Sequence, residues 1–201
     1  MTEKKLLLAT TNQGKIKEIK KMLKGLGLRI ESLADHPELG TVQETGRTFA
    51  ENSRKKSLLY SLKYPGLVLA EDSGLEVEAL YGKPGVFSAR FSGPKSTDEK
   101  NIKKLLSLLA GLPPKKRRAQ FVCVASLAKN GKIIRQFRGK VRGIILSLPK
   151  GKNGFGYDPI FYYPRFRRTF AQLTPSEKNS VSHRGKAFKK LRQFLETRSR
   201  R

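Results

Sequence analysis

Apolar and polar positions along this chain switch between a helical and an extended period, and the switches mark its elements. The apolar run at residues 6–9 predicts a first strand. Asn12 is placed to cap a helix whose apolar positions Ile16, Ile19, Leu23 and Leu26 recur at helical spacing, with Gly25 and Gly27 to stop it. A short strand is predicted over residues 28–33. Thr48 opens a second helix with Phe49, Ser53, Leu59 and Leu62 on or near its inner face, ended by Tyr64-Pro65-Gly66. The apolar residues 67–70 predict a buried strand that stops at two adjacent carboxylates, Glu71 and Asp72. Residues 75–79 are predicted extended, and Gly82-Lys83-Pro84-Gly85 a turn.

In the second half, Ser96 and Glu99 have the spacing of a capping box for a helix running through Leu109, terminated by Gly111 and two prolines. Residues 118–128 are read as an alternating strand with the β-branched Val122 and Val124 at its centre. Lys129-Asn130-Gly131-Lys132 turns the chain, and residues 133–141 return as the second strand of a hairpin, which residues 144–146 extend. A glycine-rich loop over residues 150–157 leads to a strand at residues 160–162. Thr174 and Glu177 form a second capping box with Pro175 at the first helical position. A last helix starts near Ser182 and buries Ala187, Leu191, Phe194 and Leu195. The pattern is mixed α/β with a long central hairpin, without repeats and without a compositional linker.

Composition narrows the class. The length of 201 residues suits one large domain or two small lobes, and 37% hydrophobic residues support a packed core. No apolar run reaches the roughly 18 residues that a membrane-spanning helix needs, and the N-terminal apolar stretch is too short for a signal peptide. The single cysteine, Cys123, excludes an internal disulfide, fits a reducing cytoplasm, and is read as core packing within FVCVASLA. The net charge of +27, from 43 basic and 16 acidic residues, attracts polyanions and predicts non-specific nucleic-acid binding at low salt. No zinc-finger spacing or RNA-binding aromatic signature accompanies it.

Four places could carry chemistry. Thr10, Thr11, Asn12, Gln13, Gly14 and Lys15 join a strand to a helix start, either an ordinary cap and turn or a cradle for phosphate with Lys15 as a mobile charge. Glu71 and Asp72, in so basic a chain, form a candidate magnesium and base site that Glu44 could complete, because magnesium takes a few carboxylates plus substrate phosphates and water. Asn153-Gly154-Phe155-Gly156-Tyr157-Asp158-Pro159 is either a strand-entry turn with buried aromatics or a ligand loop, with Phe155 to stack on a base and Asp158 to accept from a ring N–H. His183 and Arg184 at a helix start, with Lys178 before them, suit contacts to a phosphate or a carbonyl oxygen. His36 receives no role.

The segments LATTNQGKIKEI, ETGRTFAENS, LAEDSGLEVEALYGKPGVFSARFSG, GFGYDPIF and LTPSEKNSVSHRGKA occur in this order from near residue 6 to near residue 195. Together they resemble the inosine triphosphate pyrophosphatases, enzymes that remove non-canonical purine nucleoside triphosphates. The resemblance implies a single domain over residues 1–201, built as two α/β lobes around a long curved mixed sheet with a nucleotide cleft between them. It implies a homodimer that hydrolyses the α–β phosphoanhydride of ITP, dITP and XTP with magnesium, releasing pyrophosphate; the cytoplasmic setting is expected from the single cysteine.

Carried over by position, residues 10–15 hold the phosphates, Lys15 neutralises charge in the transition state, and Glu44 and Asp72 bind the metal, with Asp72 the general base. Ser73, Phe155, Gly156, Tyr157, Asp158, Lys178, His183 and Arg184 bind the nucleotide, the aromatic loop and the His-Arg pair facing the purine. Two departures stand out: the family usually has aspartate where this chain has Glu71, and its members are commonly less basic. Glu71 is expected to act from the side of the metal site, where its extra methylene can be absorbed.

Overall fold

The computed structural model describes residues 4–199. Seven strands form one mixed sheet in the order β2-β1-β3-β4-β5-β6-β7. They are β1 (Lys4–Leu8), β2 (Leu28–Ser32), β3 (Leu67–Val77), β4 (Arg118–Lys129), β5 (Lys132–Ile145), β6 (Phe161–Tyr163) and β7 (Arg168–Thr169). The helices are α1 (Gln13–Leu23), α2 (Phe49–Ser61), α3 (Asp98–Leu108), α4 (Pro175–Val181) and α5 (His183–Ser199). β1 pairs in parallel with β2 and β3, whereas β6 pairs antiparallel with β5 and β7. No helix among the described residues is long and apolar enough to cross a membrane.

The chain divides into two compact units. The first comprises residues 1–72, 123–139 and 184–201, and the second comprises residues 73–122 and 140–183. In the first unit, strand alternation separates two cores. Leu6, Leu8, Leu69 and Cys123 pack with Ile16, Ile19 and Leu23 of α1 and with Ala187, Phe188, Leu191 and Leu195 of α5. Leu7, Val68 and Ala70 turn the other way, toward Leu39, Tyr60 and Tyr64. Successive side chains of a strand leave on opposite faces, so one apolar run feeds both cores.

The second unit is built on Leu75 and Val77 of β3, with Ile102, Leu105 and Leu109 from α3 and its end, and Phe121, Phe161 and Phe170. Between β4 and β5, Asn130 and Gly131 both take positive φ (49° and 70°), the geometry of a two-residue hairpin turn. The predicted caps at Asn12, Thr48 and Thr174 are formed, each accepting from a backbone N–H of the first helical turn.

Three expectations fail in instructive ways. β3 does not stop at the acids but runs through them for 11 residues. Leu59 and Leu62 are 41% and 68% exposed, because the buried stripe of α2 is Phe49, Asn52, Ser53, Lys56, Ser57 and Tyr60. That helix shows the core a largely polar face, which an apolar count overlooks. Finally, α3 is capped by Thr97, whose Oγ1 accepts from Lys100 N at 3.3 Å, while Ser96 Oγ instead donates to Gly93 O at 2.6 Å.

Candidate active site

The alternation that divides the first core also divides the two acids. Glu71 continues the face of Leu69 and meets the α1 and α5 side, and Asp72 continues the face of Ala70 and meets α2. Glu71 is fully buried. One oxygen takes Lys15 Nζ at 2.5 Å and Arg184 Nη2 at 3.4 Å, and the other accepts from Cys123 Sγ at 3.2 Å. Burial alone would raise this carboxyl, but the charges of Arg184 and Lys15 outweigh it and hold Glu71 well below the usual carboxylate range. The expected side role of Glu71 toward a metal is therefore corrected: its carboxylate is the counter-ion of two cations on the opposite face from Asp72. Burial pushes the Cys123 thiol well up, and Glu71's charge adds to it, so Cys123 is a neutral donor rather than mere packing.

Asp72 accepts from Asn52 Nδ2 at 3.0 Å, and Asn52 Oδ1 in turn accepts from Gly46 N at 2.7 Å. Lys56, one turn further along α2, donates to Glu44 Oε1 at 2.5 Å and to Glu71 O at 2.9 Å. Burial pushes Asp72 from 3.8 up to about 6; Lys56 and Asn52 oppose this and the charge of Glu44 adds to it. Glu44 and Asp72 thus share one electrostatic neighbourhood. They offer oxygen donors only, which fits a hard divalent cation completed by phosphate and water. Among the described residues no group of three or more His, Cys, Asp or Glu side chains could hold a metal. Asn52 and Lys56 escaped the sequence reading, although their i, i+4 spacing within the stripe from Phe49 to Tyr60 places them on the inner face.

At the start of α1, Asn12 Oδ1 accepts from Lys15 N at 2.9 Å and Thr10 Oγ1 from Asn12 N at 3.2 Å. Thr11, Asn12 and Gln13 are exposed, with Thr10, Gly14 and Lys15 half-buried. The loop therefore lies at the surface with its cap formed, while Lys15 reaches in to Glu71. Arg184, 1% exposed, also pairs with Glu18 at 2.7 Å.

The second unit collects the other predicted residues. Asp158, buried, accepts from Phe155 N at 2.9 Å and from Lys178 Nζ at 2.6 Å, and the Lys178 ammonium lies 4.7 Å from the centre of the Phe155 ring. Gly154 takes φ +82°, and a Cβ there would stand 2.1 Å from Asp158 Oδ2, so only glycine permits this fold of the loop. Gly156 N donates to Asp98 Oδ2 at 2.6 Å. Tyr157 is buried with its hydroxyl donating to Ser88 O at 2.9 Å, and burial, with Asp98's charge, raises its pKa. Ser88 also accepts from Leu75 N, and a Cβ on Gly74 would meet Ser88 Oγ at 2.3 Å, which fixes the backbone just after Ser73. His183 stacks on Phe121, centroids 4.7 Å apart. His183 and Arg184, read as a pair, thus take different partners. Thr10 to Lys15, Glu44, Asp72 and Arg184 belong to the first unit, whereas Ser73, Phe155 to Asp158, Lys178 and His183 belong to the second.

The Ham1 family pattern matches residues 6–194, nearly all of the described chain. The chain belongs to the Ham1 family. A relative from Desulforamulus reducens, named dITP/XTP pyrophosphatase, is 49% identical over 191 residues, covering 95% of each chain. Among solved structures, a HAM1 protein from Coxiella burnetii matches with a TM-score of 0.88 at 38% identity, over 96% of this chain and 99% of that one. The Ham1 protein of Staphylococcus aureus matches with a TM-score of 0.87 at 42% identity, over 97% and 100%. The seven-stranded mixed sheet is accordingly a Ham1-like fold, and the family resemblance read from the sequence holds.

Proposed function

We propose that this Ham1-family protein hydrolyses ITP, dITP and XTP at the α–β phosphoanhydride, giving the nucleoside monophosphate and pyrophosphate. The observation that carries the reading is the full-length likeness to a dITP/XTP pyrophosphatase. The site supports it with a buried carboxylate, Asp72, kept near neutral titration and oriented by Asn52.

In this reading the start of α1 presents backbone N–H groups to the triphosphate, and Lys15 moves between Glu71 and the phosphate oxygens. Asp72 takes the proton from a water that attacks the α-phosphorus; that P–O bond forms as the bond to the pyrophosphate oxygen breaks. Glu44 and Asp72 would hold magnesium, which supplies positive charge against the phosphate oxygens. Lys56 keeps Glu44 in place and balances the acids. Ser73 binds the nucleotide beside Asp72, and in the second unit the Phe155 ring stacks on the purine. Asp158, steadied by Lys178, and His183 face the purine edge. Arg184 serves the nucleotide from its anchor on Glu71 and Glu18. A site built to donate to a 6-oxo group leaves polar groups unpaired against the 6-amino group of adenine, and so rejects it. The homodimer rests on the family resemblance, and the cytoplasmic setting on the single cysteine.

The test is pyrophosphate release from ITP, dITP, XTP, ATP and GTP with magnesium present. The expected outcome is a kcat/KM for the first three at least about 100-fold above that for ATP. Equal values for ATP and ITP would overturn the assignment.

A further inference from the structure

The loop over residues 153–159 is held by bonds of two kinds. From inside, Asp158 and Lys178 fix Phe155, while Asn153 N donates to Ala171 O at 3.0 Å. From outside, Asp98, the first residue of α3, takes the N–H of Gly156 at 2.6 Å. That bond spans 58 residues of sequence and ends on the peptide that follows Phe155. An open groove of about 540 Å³, lined by Ile102, Leu106, Phe155 and Pro159 and by both Asp98 and Gly156, lies between α3 and the loop. On this open side the loop meets the helix through the hydrogen bond, while Tyr157 packs inward with Ile102, Leu105 and Leu109 in the core of the unit.

The helix is a firm base for such a tether. Ile102, Leu105 and Leu109 are buried in the core of the unit. Asn101 donates to Ala89 O at 3.1 Å and accepts from Ser92 N at 2.7 Å. A carboxylate in the first turn of a helix is also favoured by the helix dipole, and Thr97, not Asp98, provides the cap. The side chain of Asp98 is thus available for a task other than capping. Gly156 takes φ +61°, a left-handed turn that aims its N–H away from the run of the loop and toward the acceptor.

We propose that Asp98 is a positioning residue for purine recognition: it sets the place of Phe155 and Asp158 by capturing the Gly156 N–H from the start of α3. The role rests on the reading of this loop as the purine-binding loop. Asp98 touches no substrate; it fixes a loop that does, so its loss weakens purine binding and leaves the phosphate chemistry of the first unit intact.

The experiment compares wild type with Asp98→Ala, Asp98→Asn and Phe155→Ala, measuring KM and kcat for ITP, IMP binding by calorimetry, and thermal melting. Losing one solvent-exposed hydrogen bond corresponds to about three- to ten-fold in binding. Asp98→Ala should raise the ITP KM and the IMP Kd by that factor, with kcat within about two-fold and Tm nearly unchanged. Asp98→Asn keeps an acceptor and should restore KM to within about two-fold of wild type, which a role of the charge in helix stability would not do. If Phe155→Ala weakens binding and Asp98→Ala does not, the tether is wrong and the loop reading stands. If neither variant weakens binding, the loop reading fails and the proposal with it. A kcat loss in Asp98→Ala at unchanged KM, or an Asp98→Asn as impaired as Asp98→Ala, also overturns it.

Discussion

At the residue scale, the two adjacent acids of β3 have opposite duties, and exchanging their charges separates chemistry from stability. Glu71 is a fully buried anion between Lys15, Arg184 and the Cys123 thiol. Removing one partner of a buried ionic cluster leaves the others uncompensated, at a cost of about 3–5 kcal/mol. Glu71→Gln is therefore expected to lower the Tm markedly, whereas Glu71→Asp keeps the charge, loses reach, and should fall between. Burial disfavours the charged form of Asp72, so Asp72→Asn should fold at least as well while turnover drops by about 100-fold or more, the value of a positioned base. Thermal melts and turnover on these three variants check the division. A Glu71→Gln protein as stable as wild type, or an Asp72→Asn protein retaining a tenth of its turnover, would show that it is drawn wrongly.

At the scale of elements, most caps and turns were legible because their chemistry is local, the exception being α3, where Thr97 rather than Ser96 is the cap. Asn12, Thr48 and Thr174 each bond to their own first turn, and Asn130-Gly131 needs nothing beyond itself to reverse the chain. The segment between β2 and α2 was not legible. There His36 donates toward Glu31 at 2.7 Å and Glu38 at 2.9 Å, while Tyr64 donates to Glu31 at 2.7 Å and Arg29 pairs with Glu31 at 2.9 Å. Hydrogen bonds to Glu31 and Glu38 raise the pKa of His36, and bonds from His36 and Tyr64 lower that of Glu31. A raised histidine stabilises below its ordinary value of 6.5 and loses that stabilisation as pH rises through its folded pKa; a lowered glutamate does so above 4.5 and loses it as pH falls. The cluster thus contributes most between about pH 4.5 and 6.5, where both charges are present. The Tm advantage of wild type over His36→Asn should be larger at pH 5.5 than at pH 9. An advantage independent of pH would mean that His36 acts only by packing against Tyr64, whose ring centroid lies 5.3 Å away.

For the whole molecule, the net charge of +27 is only in small part internal. Lys56, Arg117, Lys178 and Arg184 are the buried cations among the described residues, each tied to carbonyls or carboxylates, as where Arg117 reaches Leu109 O at 2.9 Å. Most basic side chains among the described residues are therefore not buried, and they form a field for polyanions. Duplex DNA should bind without sequence preference at low ionic strength and fall away with a log–log slope of about −0.9 per phosphate neutralised. Sequence-selective binding that survives high salt would instead make nucleic acid a physiological partner.

The chain by itself determined most of the elements and the apolar faces of α1 and α5, because helical and strand periods are properties of neighbouring residues. Even the split between Glu71 and Asp72 follows from the two-residue period of β3. Tertiary structure alone decided what each face meets. Glu71 and Arg184 lie 113 positions apart, Asp158 and Lys178 lie 20 apart, and Asp98 and Gly156 lie 58 apart. The packing of helices and loops, rather than any local pattern, brings such pairs within hydrogen-bonding distance. The polar stripe of α2 shows the same limit: the spacing of Asn52 and Lys56 aligns them with Phe49 and Tyr60, but only the acids opposite them give the burial of polar side chains a reason.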